Sequence, residues 1–381
     1  MTSHPDPKTG LLASRVIEFI RDSTETHACT DTIHYPSLFN ELALEVFRFQ
    51  YQEVAAYQKL CESRSFKADC VSNWWEIPAV ISSAFKEFEL SSIPQDQRAT
   101  YFCSSGTTGQ NRSRHFHHAE SIRLYETSLV SGFKRVMAGE SLSVQVKPRF
   151  LFLTPSATEA PHSSLVHMFT ILGREFAESS LFSGSTDQNG NWISNFQPSL
   201  EFLELAIRDQ HPVFVLGTAF NFVLLMDQFE DQGITLSLPH GSAALETGGY
   251  KNRSRSLSKD ELHGSISKWG AIPRNRILCE YGMSELSSQA YDLGLGADLS
   301  DPQIFHFPPW ARVRIISPET GLEVPDGEKG LIRIFDLANL YSVMAIQTED
   351  LGVRRGSGFE WVGRAAQSEP RGCSLQSVNV H

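Results

Sequence analysis

The chain has 381 residues, of which 41% are hydrophobic and 20% are charged, and its formal net charge is −11. A chain of this length can bury one large core or two medium ones. The acidic balance argues against a nucleic-acid binder, which needs a basic face, but leaves room for a phosphorylated ligand in a locally basic pocket. We expect a cytoplasmic protein without a membrane span: no apolar run approaches ~18 residues, the N-terminus lacks a signal pattern, and the six cysteines are scattered without CxxC spacing.

Residues 11–100 are predicted to be mainly helical, because "LLASRVIEFIRD" and "ELALEVFRFQYQEVAAYQKLCES" space their apolar residues at helical intervals. The following "IPAVISSAFKEFEL" predicts a short extended piece. Between residues 149 and 300, the predicted strands "RFLFLTPS", "HPVFVLGTAF" and "RNRILCEYGMSEL" alternate with helices such as "NFVLLMDQFEDQG", which should end at Gly233. This alternation predicts an α/β fold with a largely parallel sheet between helices.

After residue 301 the pattern changes to two β runs joined by a turn rich in Pro and Gly, in "ARVRIISPETGLEVPDGEKGLIRIFDL". The predicted organisation is a mainly helical segment of a large domain (1–100), an α/β core (101–300), a small β subdomain (301–365) and a flexible C-terminal tail (366–381). No internal repeat interrupts this order.

The stretch "SSGTTGQNRSR" concentrates small donor residues beside two arginines. Backbone N–H groups in a glycine-rich turn form a concave anion site, and hydroxyl groups add donors. Arg112 and Arg114 could clamp phosphate oxygens. The stretch is not a GxxxxGK[ST] loop, and alone it fits a solvated surface turn equally well. Its candidate ligand-binding residues are Ser104, Ser105, Gly106, Thr107, Thr108 and Gly109.

Four motifs in order along the chain resemble those of the adenylate-forming superfamily, which includes acyl-CoA synthetases. They are "SSGTTG", "YGMSE" (Tyr281–Glu285), Asp350 in "QTEDLG", and the Gly363–Arg364 pair in "WVGRA". The resemblance implies that a carboxylate attacks the α-phosphate of ATP with the help of Mg²⁺. It also implies doubly wound sheets with helices plus a small β subdomain, with residues 101–300 forming the nucleotide- and acyl-binding core.

The resemblance also assigns a role to each motif. Thr107, Thr108 and the loop backbone would hold the β- and γ-phosphates, and Ser284 would donate to the α-phosphate. Glu285 would bind Mg²⁺, which prefers oxygen ligands. The remaining predicted nucleotide contacts are Tyr281 on adenine, Asp350 on the ribose, Arg364, Gly282, and Glu246, Thr247, Gly248 and Gly249 of "ETGG". Taken singly, Tyr281 could be a core residue, Glu285 a helix-start carboxylate and Asp350 a turn residue.

A narrower resemblance, over roughly residues 70–375, is to the LuxE-type acyl-protein synthetases, which are grouped with phenylacetate-CoA ligases. It is carried by "LETGGYKNRSRSLS", "SSGTTGQNRSRH", "SSLVHMF" and "SEPRGCSL". It implies that a fatty acyl group moves from AMP to Cys373 and then to a partner acyl reductase. Arg371 beside Cys373 favours the thiolate, although the thiol could also be incidental. Cys103 and Cys279 lie in apolar strand-like settings and are predicted to be packing residues.

One departure concerns the C-terminal domain that most adenylate-forming enzymes carry with a catalytic lysine. Seventeen residues follow Arg364 in this sequence, so the sequence predicts that this domain is lacking, as in LuxE-type enzymes. Candidates for the charge-neutralising group are Lys251, Arg112 and Arg114, and Lys251 could equally be a solvated loop residue.

The histidines of "RHFHH" do not fit a zinc signature. Strand alternation places His115 and His117 on one face and His118 on the other. His162 could line an acyl pocket, together with Phe220 and Phe222 of "GTAFNF", although the two phenylalanines could be plain core.

Three functions remain open from the sequence. The leading one is an acyl-adenylating enzyme that loads its own Cys373. The second is a ligase that uses CoA or a carrier protein as external thiol. The third is a nucleotide-binding scaffold without catalysis. The sequence does not distinguish a long alkyl acid from an aromatic one.

Overall fold

The computed structural model describes residues 7–25, 34–104, 112–138, 146–188, 190–248, 257–292, 294–297 and 303–365. The helices in these ranges are α1 (Pro7–Glu25), α2 (His34–Glu53), α3 (Ala55–Ser63), α4 (Ala84–Glu87), α5 (Ala119–Met137), α6 (Ser164–Phe176), α7 (Phe196–Arg208), α8 (Ala219–Asp231) and α9 (Lys259–Gly270). None of them has the length and apolar content needed to cross a membrane.

The strands of the described residues form two larger sheets and two hairpins. They are β1 (Val80–Ile81), β2 (Thr100–Cys103), β3 (Arg114–His117), β4 (Arg149–Phe152), β5 (Ser180–Phe182), β6 (Gly184–Thr186), β7 (Trp192–Ser194), β8 (Val213–Thr218), β9 (Ala243–Thr247), β10 (Ile277–Tyr281), β11 (Ala290–Tyr291), β12 (Ala311–Ile316), β13 (Lys329–Asp336), β14 (Ala345–Arg355) and β15 (Gly358–Arg364).

The larger sheet has the strand order β11-β10-β9-β8-β4-β5 and is parallel except at β11. Helices α5 and α6 cover one face, and α7, α8 and α9 cover the other. All residues of β8 are buried, as expected for a parallel strand covered on both faces. The predicted α/β fold with a parallel sheet between helices is confirmed.

The predicted helix after β8 begins two residues earlier than its apolar pattern suggested. Thr218 caps it, because its hydroxyl accepts from the Asn221 N–H. Gly233, where the pattern should end, follows with φ of 65°, a conformation that glycine adopts without strain.

The second sheet has the order β1-β14-β13-β12, with β15 also paired to β14. It contains the two β runs predicted after residue 301, paired antiparallel as β12 and β13. One of its edges is β1, which comes from the N-terminal part of the chain and pairs parallel with β14. Its apolar residues share one core with α1, α2 and α3, so the N-terminal helices and this sheet pack as a unit.

Candidate active site

The first motif begins at the end of a two-stranded hairpin. Strands β2 and β3 pair antiparallel, and Cys103 is opposite Arg114. The pairing extends one step further, because Ser104 N donates to Ser113 O at 3.4 Å and Ser113 N donates to Ser104 Oγ at 3.2 Å. Arg112 and Arg114 are exposed. Ser105, Gly106, Thr107, Thr108 and Gly109 lie outside the described residues.

The second motif meets this hairpin at Ser284, just after β10. Ser284 Oγ lies 3.4 Å from Ser113 Oγ and donates to Glu285 Oε2 at 3.0 Å. His115 Nδ1 donates to the Ser284 carbonyl at 3.1 Å. Burial lowers the pKa of His115 to about 4, so this imidazole is neutral at neutral pH. Two segments distant in sequence are therefore joined at the residue expected to face the α-phosphate.

A buried polar network holds the Ser284–Glu285 loop from behind. Asp336 Oδ1 accepts from Ser288 Oγ at 2.7 Å, and Asp336 Oδ2 accepts from Ser287 N at 3.0 Å. Asn339 Nδ2 donates to the Glu285 carbonyl at 2.8 Å. Burial raises the pKa of Asp336 to about 6, against the hydrogen bonds that favour its charged form.

Asp336 and Asn339 were not identified from the sequence. An Asp at the end of an apolar strand often accepts a hydrogen bond from the backbone two residues on, and Asp336 Oδ1 does accept from Ala338 N at 3.0 Å. That local pattern predicts the turn at residues 336–339. It does not predict that the same carboxylate reaches a loop nearly fifty residues earlier.

The third and fourth motifs lie on adjacent strands. Asp350 of β14 is opposite Arg364 of β15, and Arg364 Nε lies 3.6 Å from Asp350 Oδ1. Tyr281 Oη donates to Asp350 Oδ2 at 2.8 Å, which joins the second motif to the third. Desolvation raises the pKa of Asp350, and the contacts with Tyr281 and Arg364 oppose that rise. The Arg364 side chain is 81% exposed and thus open to a ligand.

The ring of Tyr281 packs into an aromatic cluster. Its centroid is 5.2 Å from that of Phe359, nearly edge-on, and 6.0 Å from that of Phe305. These contacts fix the ring, which is 9% exposed. The expected stacking of adenine on Tyr281 stays a prediction.

The "ETGG" stretch contributes less side-chain surface than the sequence suggested. Glu246 is buried, and its Oε1 lies 3.2 Å from His263 Nε2 on α9. Thr247 donates to the buried carboxyl of Glu280 on the neighbouring strand. Gly248 adopts φ of 64° where the strand ends. Gly249 and Lys251 lie outside the described residues.

Glu280 is a buried carboxyl that sequence reasoning missed, although a charge inside "ILCEY" was a visible signal. Burial raises the pKa of Glu280 to about 7, opposed by the hydrogen bond from Thr247. A Cβ at Gly282 would clash with Glu280 Oε1. Gly282 therefore gives Glu280 room, which is a structural reason for that glycine.

The histidine predictions hold in part. The rings of His115 and His117 are 4.3 Å apart on one face of β3, as predicted. His162 stacks on Tyr101 at 4.0 Å and lies beside the end of β2, since its carbonyl accepts from Cys103 N.

Of the two phenylalanines predicted to line the pocket and the two cysteines predicted to be packing residues, one of each pair is buried and the other is half-buried. Phe222 is fully buried in the core under α7, α8 and α9, which is the plain-core alternative, whereas Phe220 is half-buried. Cys279 is buried, as predicted for a packing thiol, and burial raises its pKa well above the ordinary value. Cys103 is half-buried. Cys373 lies outside the described residues.

The donor set at Glu285 fits a magnesium ion that is bound mainly by phosphate oxygens. Glu285 supplies a carboxylate and the adjacent Ser284 a hydroxyl. The described residues contain no group of three or more His, Cys, Asp or Glu side chains that could hold a metal by themselves. Mg²⁺ is commonly bound through one or two carboxylates together with substrate phosphates and water.

The family model described as acyl-protein synthetase, LuxE, matches residues 1–380. The long-chain-fatty-acid–luciferin-component ligase of Aliivibrio fischeri is 23% identical over 352 residues, covering 90% of this chain and 88% of that protein. The ligase of the same description from Vibrio harveyi is also 23% identical over 352 residues, covering 89% and 86%.

The fold is similar to that of solved structures of 2-hydroxyisobutyryl-CoA ligase. One, in the postadenylation state with 2-HIB-AMP, has a TM-score of 0.65 at 10% identity and covers 90% of this chain and 70% of that one. Another, in the thioesterification state with 2-HIB-AMP and CoA, has a TM-score of 0.65 at 11% identity with the same coverage. At this identity the match concerns the fold.

Proposed function

The chain belongs to the LuxE family of acyl-protein synthetases and is an acyl-adenylate-forming ligase, and from that premise we propose that it activates a fatty acid with ATP and transfers the acyl group to Cys373. From Cys373 the acyl group passes to a partner protein, for which an acyl reductase is the candidate. The curated relatives act, by their names, on long-chain fatty acids.

One observation carries the adenylation site. Strands β2, β3, β10, β14 and β15 bring described residues of all four motifs together through hydrogen bonds and ion contacts. Side chains that serve only their own local turns have no reason to meet in this way. Ser113–Ser284 joins the first motif to the second, and Tyr281–Asp350 joins the second to the third.

In this proposal the fatty acid carboxylate oxygen attacks the α-phosphorus, the bond to the bridging oxygen breaks, and pyrophosphate leaves. Ser284 donates to the α-phosphate, whose negative charge grows in the transition state. Asp350 accepts from the ribose hydroxyls, and Arg364, exposed beside it, offers its N–H groups to the nucleotide. Residues 104–109 hold the β- and γ-phosphates.

Glu285 would hold Mg²⁺, which offsets phosphate charge when it is bound. The residues of the chain set where that carboxylate stands. The Glu285 carbonyl is bound by Asn339, and its carboxylate accepts from Ser284. Neutral His115 fixes the backbone between them without adding a positive charge of its own.

The second step uses the thiolate of Cys373. It attacks the acyl carbonyl, the bond to the AMP oxygen breaks, and AMP leaves as the thioester forms. The runner-up is a ligase of the phenylacetate-CoA type, in which CoA or a carrier protein provides the thiol and Cys373 is a bystander. Lys251, Arg112 and Arg114 are the candidate cations that neutralise charge on the carboxylate and the α-phosphate during adenylation.

The test is ATP–pyrophosphate exchange against a panel of fatty and aromatic acids, followed by intact-protein mass on the best substrate. We expect exchange, and an added acyl mass that is lost in Cys373→Ser while exchange remains. Cys70→Ser is the matched control, because Cys70 is an exposed thiol and should leave the acyl mass in place.

Two results would overturn parts of the proposal. One is pyrophosphate exchange without an acyl mass on the protein. If Cys373→Ala then also releases a soluble thioester when CoA or a carrier protein is supplied, the chain is a ligase that uses an external thiol. The absence of exchange with every acid would contradict adenylation by the chain alone.

A further inference from the structure

Four arginines lie on or beside one face of the second sheet, where it meets the N-terminal helices. This arginine cluster consists of Arg64 at the end of α3, Arg312 and Arg314 on β12, and Arg333 on β13. Arg314 and Arg333 are direct cross-strand partners and therefore point to the same face of the sheet. In a chain with a net charge of −11, this cluster is a local concentration of positive charge.

The guanidinium groups of Arg314 and Arg333 are each oriented by a neighbour. Arg333 Nε donates to Gln347 Oε1 at 2.8 Å. Arg314 Nε lies 3.2 Å from Glu323 Oε2, and Arg314 Nη1 lies 3.4 Å from the Trp75 carbonyl. Among the described residues, both Nη groups of Arg333 and the Nη2 group of Arg314 have no protein acceptor. Oriented donors without acceptors are ready for an anion.

The other two arginines extend the same positive surface. Arg64 Nη1 donates to the Ala79 carbonyl at 3.2 Å, which holds the end of α3 beside the sheet. The Arg312 guanidinium stacks over the ring of Phe39 at 5.0 Å and forms no ion pair with a described residue. Glu323 is the described carboxylate that pairs with the cluster.

Like charges placed opposite each other across two strands destabilise a sheet, and burial increases the cost. Burial and the nearby charges of Arg314 and Arg64 lower the pKa of Arg333 to about 10. Glu323, the carboxylate beside Arg314, also lies 3.9 Å from Arg354. An excess of positive charge therefore remains around Arg314 and Arg333. A bound anion with more than one negative charge would relieve it.

We propose that the arginine cluster is a binding site for a phosphate group, carried as inorganic phosphate or as a phosphate monoester. A phosphate carries about −1.5 to −2 charges near neutral pH and three strong acceptor oxygens, which match several guanidinium groups better than a single carboxylate does. Because Arg64 directly follows α3 and Arg314 and Arg333 belong to the second sheet, the bound group links the N-terminal helices to that sheet.

This site is separate from the candidate active site and does not depend on the proposed function. The two sites use different positions of β14. Gln347, which orients the cluster, is opposite Arg333 on β13. Asp350 is opposite Arg364 on β15.

Thermal unfolding at constant ionic strength tests the proposal, with sodium phosphate or glycerol 3-phosphate replacing sodium chloride. We expect the midpoint of the full-length protein to rise by about 2 °C or more at millimolar phosphate. The rise should disappear in Arg333→Gln and shrink in Arg64→Gln. Arg208→Gln is the control, because Arg208 is an exposed arginine paired with Asp209 on α7. A rise with both ligands indicates that the phosphate group suffices, and a rise with glycerol 3-phosphate alone assigns a monoester.

The variants also separate a site from loss of fold. Without phosphate, Arg333→Gln should unfold cooperatively at the same temperature as the parent or higher, since a like-charge contact is removed. Arg64→Gln, at an exposed position, provides the same readout with little risk to folding. The absence of a rise when either phosphate compound replaces chloride, or a rise that survives in both Arg333→Gln and Arg64→Gln, would overturn the proposal.

Discussion

The two halves of the candidate active site are held by different kinds of contact. The Ser284–Glu285 half rests on buried hydrogen bonds to Asp336 and Asn339. The Tyr281 half rests on aromatic packing, with a single hydroxyl contact to Asp350. Directional bonds fix atoms to a few tenths of an ångström but leave costly unpaired groups when one member is lost. Apolar contacts tolerate small polar changes. We therefore expect the two halves to respond very differently to substitution.

The largest effect is expected for Asp336→Ala. It leaves the N–H groups of Ser287 and Ala338 and the hydroxyl of Ser288 without their acceptor, at roughly 1–3 kcal/mol for each buried group. We expect a loss of about 3 kcal/mol or more in the free energy of unfolding, measured by urea denaturation, and a fall in kcat of ATP–pyrophosphate exchange.

The control for that variant is Ile266→Ala in the core beneath α9, where a cavity costs about 2–5 kcal/mol without touching the loop. If both variants have the same kcat under conditions where they are folded, Asp336 contributes only to stability. The expected difference between the two halves of the site would then be wrong.

The next largest effect on stability is expected for Glu280. It precedes Tyr281 on β10, the strand that carries Tyr281 and is followed by the Ser284–Glu285 loop. Folded Glu280 keeps its proton up to about pH 7, whereas in the unfolded chain it ionises near 4.5. The folded state therefore binds more protons between these values, and stability falls as pH rises, by up to about 1.4 kcal/mol per pH unit. Glu280→Gln should remove the part of this fall that belongs to Glu280, whereas Asp336, whose pKa is raised to about 6, keeps its own part.

Urea denaturation at pH values from 4.5 to 7 measures the free energy of unfolding, which should change less with pH in the variant than in the parent. His115 has the opposite effect over the same range in both proteins, because its pKa of about 4 is depressed and its stabilisation is lost as pH falls. Parallel profiles for Glu280→Gln and the parent would show that Glu280 is ionised in the folded protein.

Tyr281→Phe should have a smaller effect. The ring stays in its aromatic cluster, and one hydrogen bond, worth about 1 kcal/mol, is lost. We expect a few-fold rise in the KM for ATP with little change in kcat, because Asp350 loses the neighbour that orients it. A drop in kcat as large as that of Asp336→Ala would erase the contrast between the two halves.

The smallest structural effect is expected for Arg364→Gln. An ion contact of 3.6 Å from a side chain that is 81% exposed adds little to stability, and we expect a change within about 0.5 kcal/mol. If Arg364→Gln binds ATP more weakly but unfolds at the same temperature as the parent, Arg364 contacts the nucleotide. Unchanged binding would remove Arg364 from the proposed site.

Local patterns in the sequence predicted much of this protein. Alternation of buried runs with amphipathic helices identified the parallel sheet, since each element shows its own period in its apolar residues. The motifs at residues 104–109, 281–285, 350 and 363–364 could be recognised because each is a short segment whose backbone and donors act together.

The tertiary structure decided which side chains meet. Nothing local to Val80 and Ile81 indicates pairing with Ile346 and Gln347. The carboxylate of Asp336 reaches Ser287 and Ser288 only because the sheets pack against each other. Such contacts form between residues distant in the chain, so their partners are set by the packing of whole elements. The sequence by itself determined the fold class and the motifs of an acyl-adenylating enzyme, while the fold determined what holds those motifs in place.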